Sequence, residues 1–113
     1  MGTANRAYSS GALVGNATSR AYKVQGANPN DAALEPVSMV VTGTFSGATV
    51  TLHTSNADTS PLVYAATATT WTAAGSKIIE LLTGTQFKFI ITSTGSPQGS
   101  LTVSTRGQIA IAS

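Results

Sequence analysis

The chain has 113 residues, of which 42% are hydrophobic and only 9% charged, against roughly 25% charged in an ordinary soluble domain. That length suits one compact core and argues against a two-domain enzyme. Eighteen Thr and 13 Ser make the chain hydroxyl-rich, and its formal charge of +2 comes from cations of which no two are adjacent, so the basic cluster that a nucleic-acid interface needs is missing.

The absence of cysteine removes disulfides and thiolate metal sites. The longest early apolar run, Ala12 to Val14, is too short for a secretory signal, and no stretch reaches the roughly 20 apolar residues of a membrane span. The expectation is a protein made in a cytoplasm, with neither membrane nor nucleic acid as partner.

Residues 1–36 show no sustained hydrophobic period and are rich in Ala, Asn, Gly and Ser. Asn28-Pro29-Asn30-Asp31 is a turn signal, and Pro36 biases Glu35 away from helix. Tyr8, Leu13, Val14, Tyr22 and Val24 stand as scattered anchors. Two readings are open for this segment: a tail that touches nothing, or an extended arm that orders on a neighbouring subunit. The two tyrosines favour the arm, because large amphipathic rings usually mark contact. The five anchors are then the candidate partner-binding residues. Asn16-Ala17-Thr18 fits the glycosylation sequon and is read as chance in a chain without a signal peptide.

From residue 37 onward the pattern is strand. Val37, Met39 and Val41 alternate with Ser38, Val40 and Thr42, and Val50 and Leu52 alternate with Thr49, Thr51 and His53. Ser46-Gly47 between the two runs predicts a hairpin. After the turn cluster 56–61 come short strands at 62–64 and 69–72. Lys77 to Leu82 reads as another, where Gly75, Gly84 and the β-branched Ile78-Ile79 favour strand over helix. Gln86 to Thr92, Leu101 to Thr105 and Gln108 to Ile111 complete the series. Seven or eight short strands recurring every 8–12 residues or so predict an all-β domain over 37–113, a small β-sandwich or jelly-roll-like barrel. Its expected core is Met39, Val41, Phe45, Val50, Leu52, Val63, Trp71, Ile79, Leu81, Phe87, Phe89, Ile91, Leu101 and Val103. A buried Trp71 needs a partner for its indole N–H.

The inventory for chemistry is thin. His53 is the only histidine, and strand alternation points it away from Val50 and Leu52. No G-x-S-x-G accompanies it, so it reads as a surface or subunit-contact residue. Asn56 and Asp58 lack the remaining ligands of a calcium loop and read as turn caps. Asp31, Glu35, Asp58 and Glu80 do not pair in sequence, and neither phosphate-binding glycine motif occurs. The expectation is no catalytic residue, no metal and no cofactor, hence no enzyme.

The stretch VVTGTFSGATVTL from Val40 to Leu52 resembles the opening hairpin of small structural proteins from tailed bacteriophages, of the decoration or cement kind. The same order continues in the loop Ser55-Asn56-Ala57-Asp58, the step Thr70-Trp71-Thr72-Ala73-Ala74-Gly75, and Glu80-Leu81. Phe87-Lys88-Phe89 and Gly99 to Val103 follow it. The match covers roughly residues 38–105, and the segment 1–36 lies outside it. The resemblance implies a virion component on the outer surface of the particle, made in the host cytoplasm. Its partners would be the major capsid protein or other virion proteins. A second function class is a tail, neck or fibre module that contacts host-surface glycan through exposed aromatics, with Trp71, Tyr64 and Tyr8 as candidates. Few charges to protect edge strands also predict a homo-oligomer, trimer first and dimer second.

Overall fold

A computed structural model describes residues 6–25, 34–55, 63–93 and 100–112. They hold ten strands and no helix: β1 (Arg6–Ser9), β2 (Ala17–Thr18), β3 (Tyr22–Val24), β4 (Leu34–Gly43), β5 (Thr49–Ser55), β6 (Tyr64–Trp71), β7 (Gly75–Leu82), β8 (Gln86–Thr92), β9 (Leu101–Gly107) and β10 (Ile109–Ile111). Two antiparallel sheets pack as a sandwich. One runs β1-β9-β4-β7 and the other β10-β3-β8-β5-β6, with β2 also beside β8.

Alternation builds the core. Val37, Met39 and Val41 from one sheet meet Val50, Leu52, Phe87, Phe89 and Ile91 from the other, all buried. Edge-to-face aromatics fix its centre, with Trp71 and Phe89 rings 5.9 Å apart and Phe87 and Phe89 rings 6.0 Å apart. Most of the expected core is therefore in place. Ile79 and Leu81 are only partly buried and pack on its margin, because β7 ends its sheet. Val63 is 70% exposed, outside the core. Tyr64 and most of the expected strand at 69–72 belong to one continuous strand, β6, which ends at Trp71, and Leu62 lies outside the described residues.

The Ser46-Gly47 turn forms, but not as a hairpin. Ser46 and Gly47 both have positive φ, and the Ala48 N–H donates to the Phe45 carbonyl at 2.9 Å, the closure of a type I′ turn. The strands it joins lie in different sheets: β4 pairs with β7 and β9, β5 with β6 and β8. Gly43 explains the departure. Its φ of +123° is closed to L side chains, and a Cβ there would overlap the Ser100 carbonyl. The kink lifts the chain out of its sheet, drops Phe45 into the core and delivers β5 to the opposite layer.

The expectation of an arm ordering on a neighbour needs correction for the described part of it. Residues 6–25 pair within their own sandwich. β1 pairs with β9 from Arg6↔Gly107 to Ser9↔Ser104, and Leu13 and Leu101 exchange backbone hydrogen bonds of 2.8 and 2.9 Å. β2 and β3 share one edge of β8. Ser19 stitches the gap between them, its N–H donating to the Phe89 carbonyl and its Oγ accepting the Phe89 N–H, both at 2.9 Å. Tyr22 and Val24 are fully buried. Their signal was missed because strands of two to four residues are too short to show a period.

Candidate interaction surface

The five anchors expected to bind a partner separate into two groups. Tyr22 and Val24 are core residues, and Tyr8 and Leu13 pack against the core from its margin, with the Tyr8 and Tyr22 rings 5.6 Å apart. Only Val14 is left largely exposed. Burial, the largest cause, pushes the Tyr22 phenol above the ordinary tyrosine range; Arg20 opposes the shift and Tyr8 adds to it. Its hydroxyl has no hydrogen-bond partner among the described residues.

Nothing assembles a catalytic centre among the described residues. No three His, Cys, Asp or Glu converge on a metal position. His53 stands on the outer face of β5, opposite Lys88 of β8 and Ala66 of β6, with no carboxylate beside it in the ladder. Asn56 and Asp58 lie outside the described residues. Asn16 of the sequon accepts the Ser93 N–H on its Oδ1 at 2.6 Å. Trp71 is 3% exposed and its indole N–H has no partner among the described residues. It cannot serve as an exposed glycan platform, and Lys77 covers it with its ammonium 5.8 Å from the ring centre.

What the structure assembles instead is an apolar surface. Even-numbered positions of β4 and β7 point outward, since Val37, Met39, Val41 and Ile79 point in. Register sets Leu34 opposite Leu82 and Ser38 opposite Ile78. Ile78, Leu34 and Leu82 are 72, 57 and 50% exposed; the pair Pro36 and Glu80 lies between them, and Val40 lies beyond, opposite Ser76. β7 is also the last strand of its sheet, so its outer backbone groups meet no other strand among the described residues. Its ladder with β4 runs unbroken over eight pairs from Leu34↔Leu82 to Val41↔Gly75. A long, regular edge beside exposed apolar groups is a template for another chain, and Glu80 is the one charge on this face of β7.

The other long edge, β6, is protected. Its pairing with β5 shifts register between Thr51 and His53, and the Thr67 hydroxyl reaches across to the Leu52 carbonyl at 2.8 Å. A bulge twists an edge away from further pairing. The sequence carried the β7 signal, Ile-Ile-Glu-Leu-Leu, but assigning it to an edge required the sheet order.

No family model and no curated protein matches the chain. Among solved structures, chains of infectious bursal disease virus, strains Gx and Gt, are similar over 93% and 98% of this chain, at 9% and 11% identity and TM-scores of 0.37 and 0.38. This chain covers 32% and 36% of them, about a third of their length. Likeness at that level assigns neither a family nor a function.

Proposed function

We propose that the protein is a non-enzymatic structural component of a virus particle, a decoration or cement protein that works by contact area. The observation that carries this reading is the exposed row Leu34, Ile78 and Leu82 beside the regular, unpaired edge of β7. Full burial of each such side chain stabilises a contact by about 1.5–3 kcal/mol, and binding only the assembled lattice stabilises that lattice by mass action. The order of motifs shared with small tailed-phage structural proteins supports the same reading.

The occupant of the apolar row is the surface of a neighbouring coat subunit, and a second copy of this chain pairs along β7. An antiparallel strand pair between identical chains closes about a two-fold axis, which favours a dimer over the trimer expected from composition. Mass spectrometry of gradient-purified particles from infected hosts tests the role. The expected result is a copy number comparable to that of the coat subunit. Absence from the particle overturns the proposal, and a few copies per particle move it to the neck or tail.

A further inference from the structure

We propose that the outer face of the β3-β8-β5-β6 layer is a binding site for an acidic saccharide, with Lys88 receiving the carboxylate. The face lies across the sandwich from the apolar row and does not depend on the virion reading.

Register places the site. Lys23, Gln86, Ser55 and Tyr64 form one cross-strand row, and Lys88, His53 and Ala66 form the next. All but the buried Ser55 present themselves on the outer face, because Phe87, Phe89 and Leu52 point into the core. A cleft of about 430 Å³ opens there, bounded by Thr18, Ser19, Tyr64, Gln86 and Lys88. That volume falls in the range of small-ligand sites, roughly 300–1,000 Å³.

The donors and acceptors in the cleft define the chemistry. The Tyr64 hydroxyl donates to Gln86 Oε1 at 3.1 Å, which orients the amide and leaves its NH₂ to donate outward. The Lys88 ammonium sits 4.1 Å from the centre of the Tyr64 ring, a cation–π contact that positions it without neutralising it. The carboxylates of the described residues, Glu35 and Glu80, both belong to the opposite sheet. The lining of the cleft thus offers one positive charge, an amide, a phenol oxygen and the Thr18 hydroxyl, while Lys23 stands outside it, opposite Gln86.

Donors and acceptors mixed at short spacing match a polyhydroxylated ring, and the single cation matches one carboxylate on it. A protein partner fits less well. Interface hot spots are large apolar or aromatic anchors in desolvated pockets; here Ala21 and Ala112 complete the lining, and of the exposed Leu and Ile residues only Ile111, outside the lining on the β10 edge, belongs to this sheet.

The test is an NMR titration of the ¹⁵N-labelled full-length protein with glucuronate, galacturonate and N-acetylneuraminate. Glucose serves as the neutral ring and acetate as the charge without a ring. At least one acidic sugar is expected to shift the amides of Thr18, Gln86 and Lys88, binding about tenfold more tightly than glucose or acetate. Lys88→Gln, at a part-exposed position, should erase that preference while leaving the rest of the spectrum in place. The proposal is overturned if none of the three sugars shifts these amides, or if acetate binds as well as the sugars. It is equally overturned if Lys88→Gln keeps the preference, or if an acidic peptide such as tetraglutamate binds the face more tightly than any sugar.

Discussion

The two long sides of the sandwich are built on opposite plans. One side is closed by short strands from both ends of the described chain: β1, β2 and β3 from the N-terminal part, β10 from the C-terminal part, none longer than four residues. The other side ends in β6 and β7, consecutive strands of eight residues each, one in each sheet. Strands of two to four residues expose little edge and deliver Tyr22, Val24 and Ile109 to the core. The long pair contributes Trp71, packs Ile79 and Leu81 on the core's margin and leaves Ile78 and Leu82 outside. Stability is concentrated on the closed side, and availability for contact on the open one.

Removing residues 2–25 is the strongest way to break that contrast. The deletion takes away β1 to β3, empties the Tyr22 and Val24 positions and bares the flanks of β8 and β9. Two fully buried side chains alone represent about 1.5–3 kcal/mol each, and the ladders add to it, against a typical total stability of about 5–15 kcal/mol. The truncated chain is expected to lose its cooperative thermal transition in circular dichroism. A truncated chain that melts like the full-length protein would show that the closed side is dispensable.

Gly43→Ala acts where the chain leaves one sheet for the other. The substituted residue would have to hold a positive φ and displace the Ser100 carbonyl, a cost of about 3 kcal/mol from the backbone conformation and the overlap together. Urea unfolding should show a lower midpoint with an unchanged slope. An unshifted midpoint would mean that the crossing does not depend on this kink.

The same two places mark the limit of what the sequence discloses. Alternation over Val37–Val41, Thr49–His53 and Phe87–Ile91 points at core faces directly, because each run is long enough to show its period. The partner of a strand is a separate question. The turn Ser46-Gly47 has hairpin chemistry, yet Gly43 three residues earlier redirects the chain, and glycine alone does not report its φ. Tyr22 and Val24 resemble isolated anchors because β3 is three residues long. The apolar row was legible as composition in Lys77 to Leu82, while its exposure follows from β7 being last in its sheet. The saccharide cleft joins residues from β2, β6 and β8 and has no local signature at all.

Tyr22→Phe probes the closed side more gently. The hydroxyl is buried without a partner among the described residues, and leaving a polar group unpaired costs about 1–3 kcal/mol. Its removal should leave stability equal or raise it by about 1 kcal/mol at neutral pH. The folded protein holds the phenolic proton more tightly than the unfolded chain, because burial raises the pKa. The wild-type contribution is therefore complete below about pH 10, the unfolded tyrosine value, and is lost as the pH rises from there through the raised folded value. The variant should show a shallower alkaline loss of stability, with the part-buried Tyr64, whose pKa burial also raises, supplying the remainder. Identical alkaline limbs for the two proteins would rule out Tyr22 as a source.

The smallest effect on stability should come from the open side, and there it separates folding from association. Ile78 and Leu82 are exposed in the single chain, so the pair Ile78→Glu and Leu82→Glu should change the unfolding free energy by no more than about 0.5 kcal/mol. In a chain dimer through β7 the same positions sit beside the seam, and introducing like charges into both copies should weaken the dimer by more than about tenfold, or ~1.4 kcal/mol. Ala68→Glu on the bulged β6 edge is the matched control and should leave association unchanged. Sedimentation equilibrium over a concentration series reads all three proteins. A wild-type chain that stays monomeric throughout, or a control that dissociates as readily as the β7 variant, would remove β7 as the preferred edge and with it the asymmetry between the two long strands.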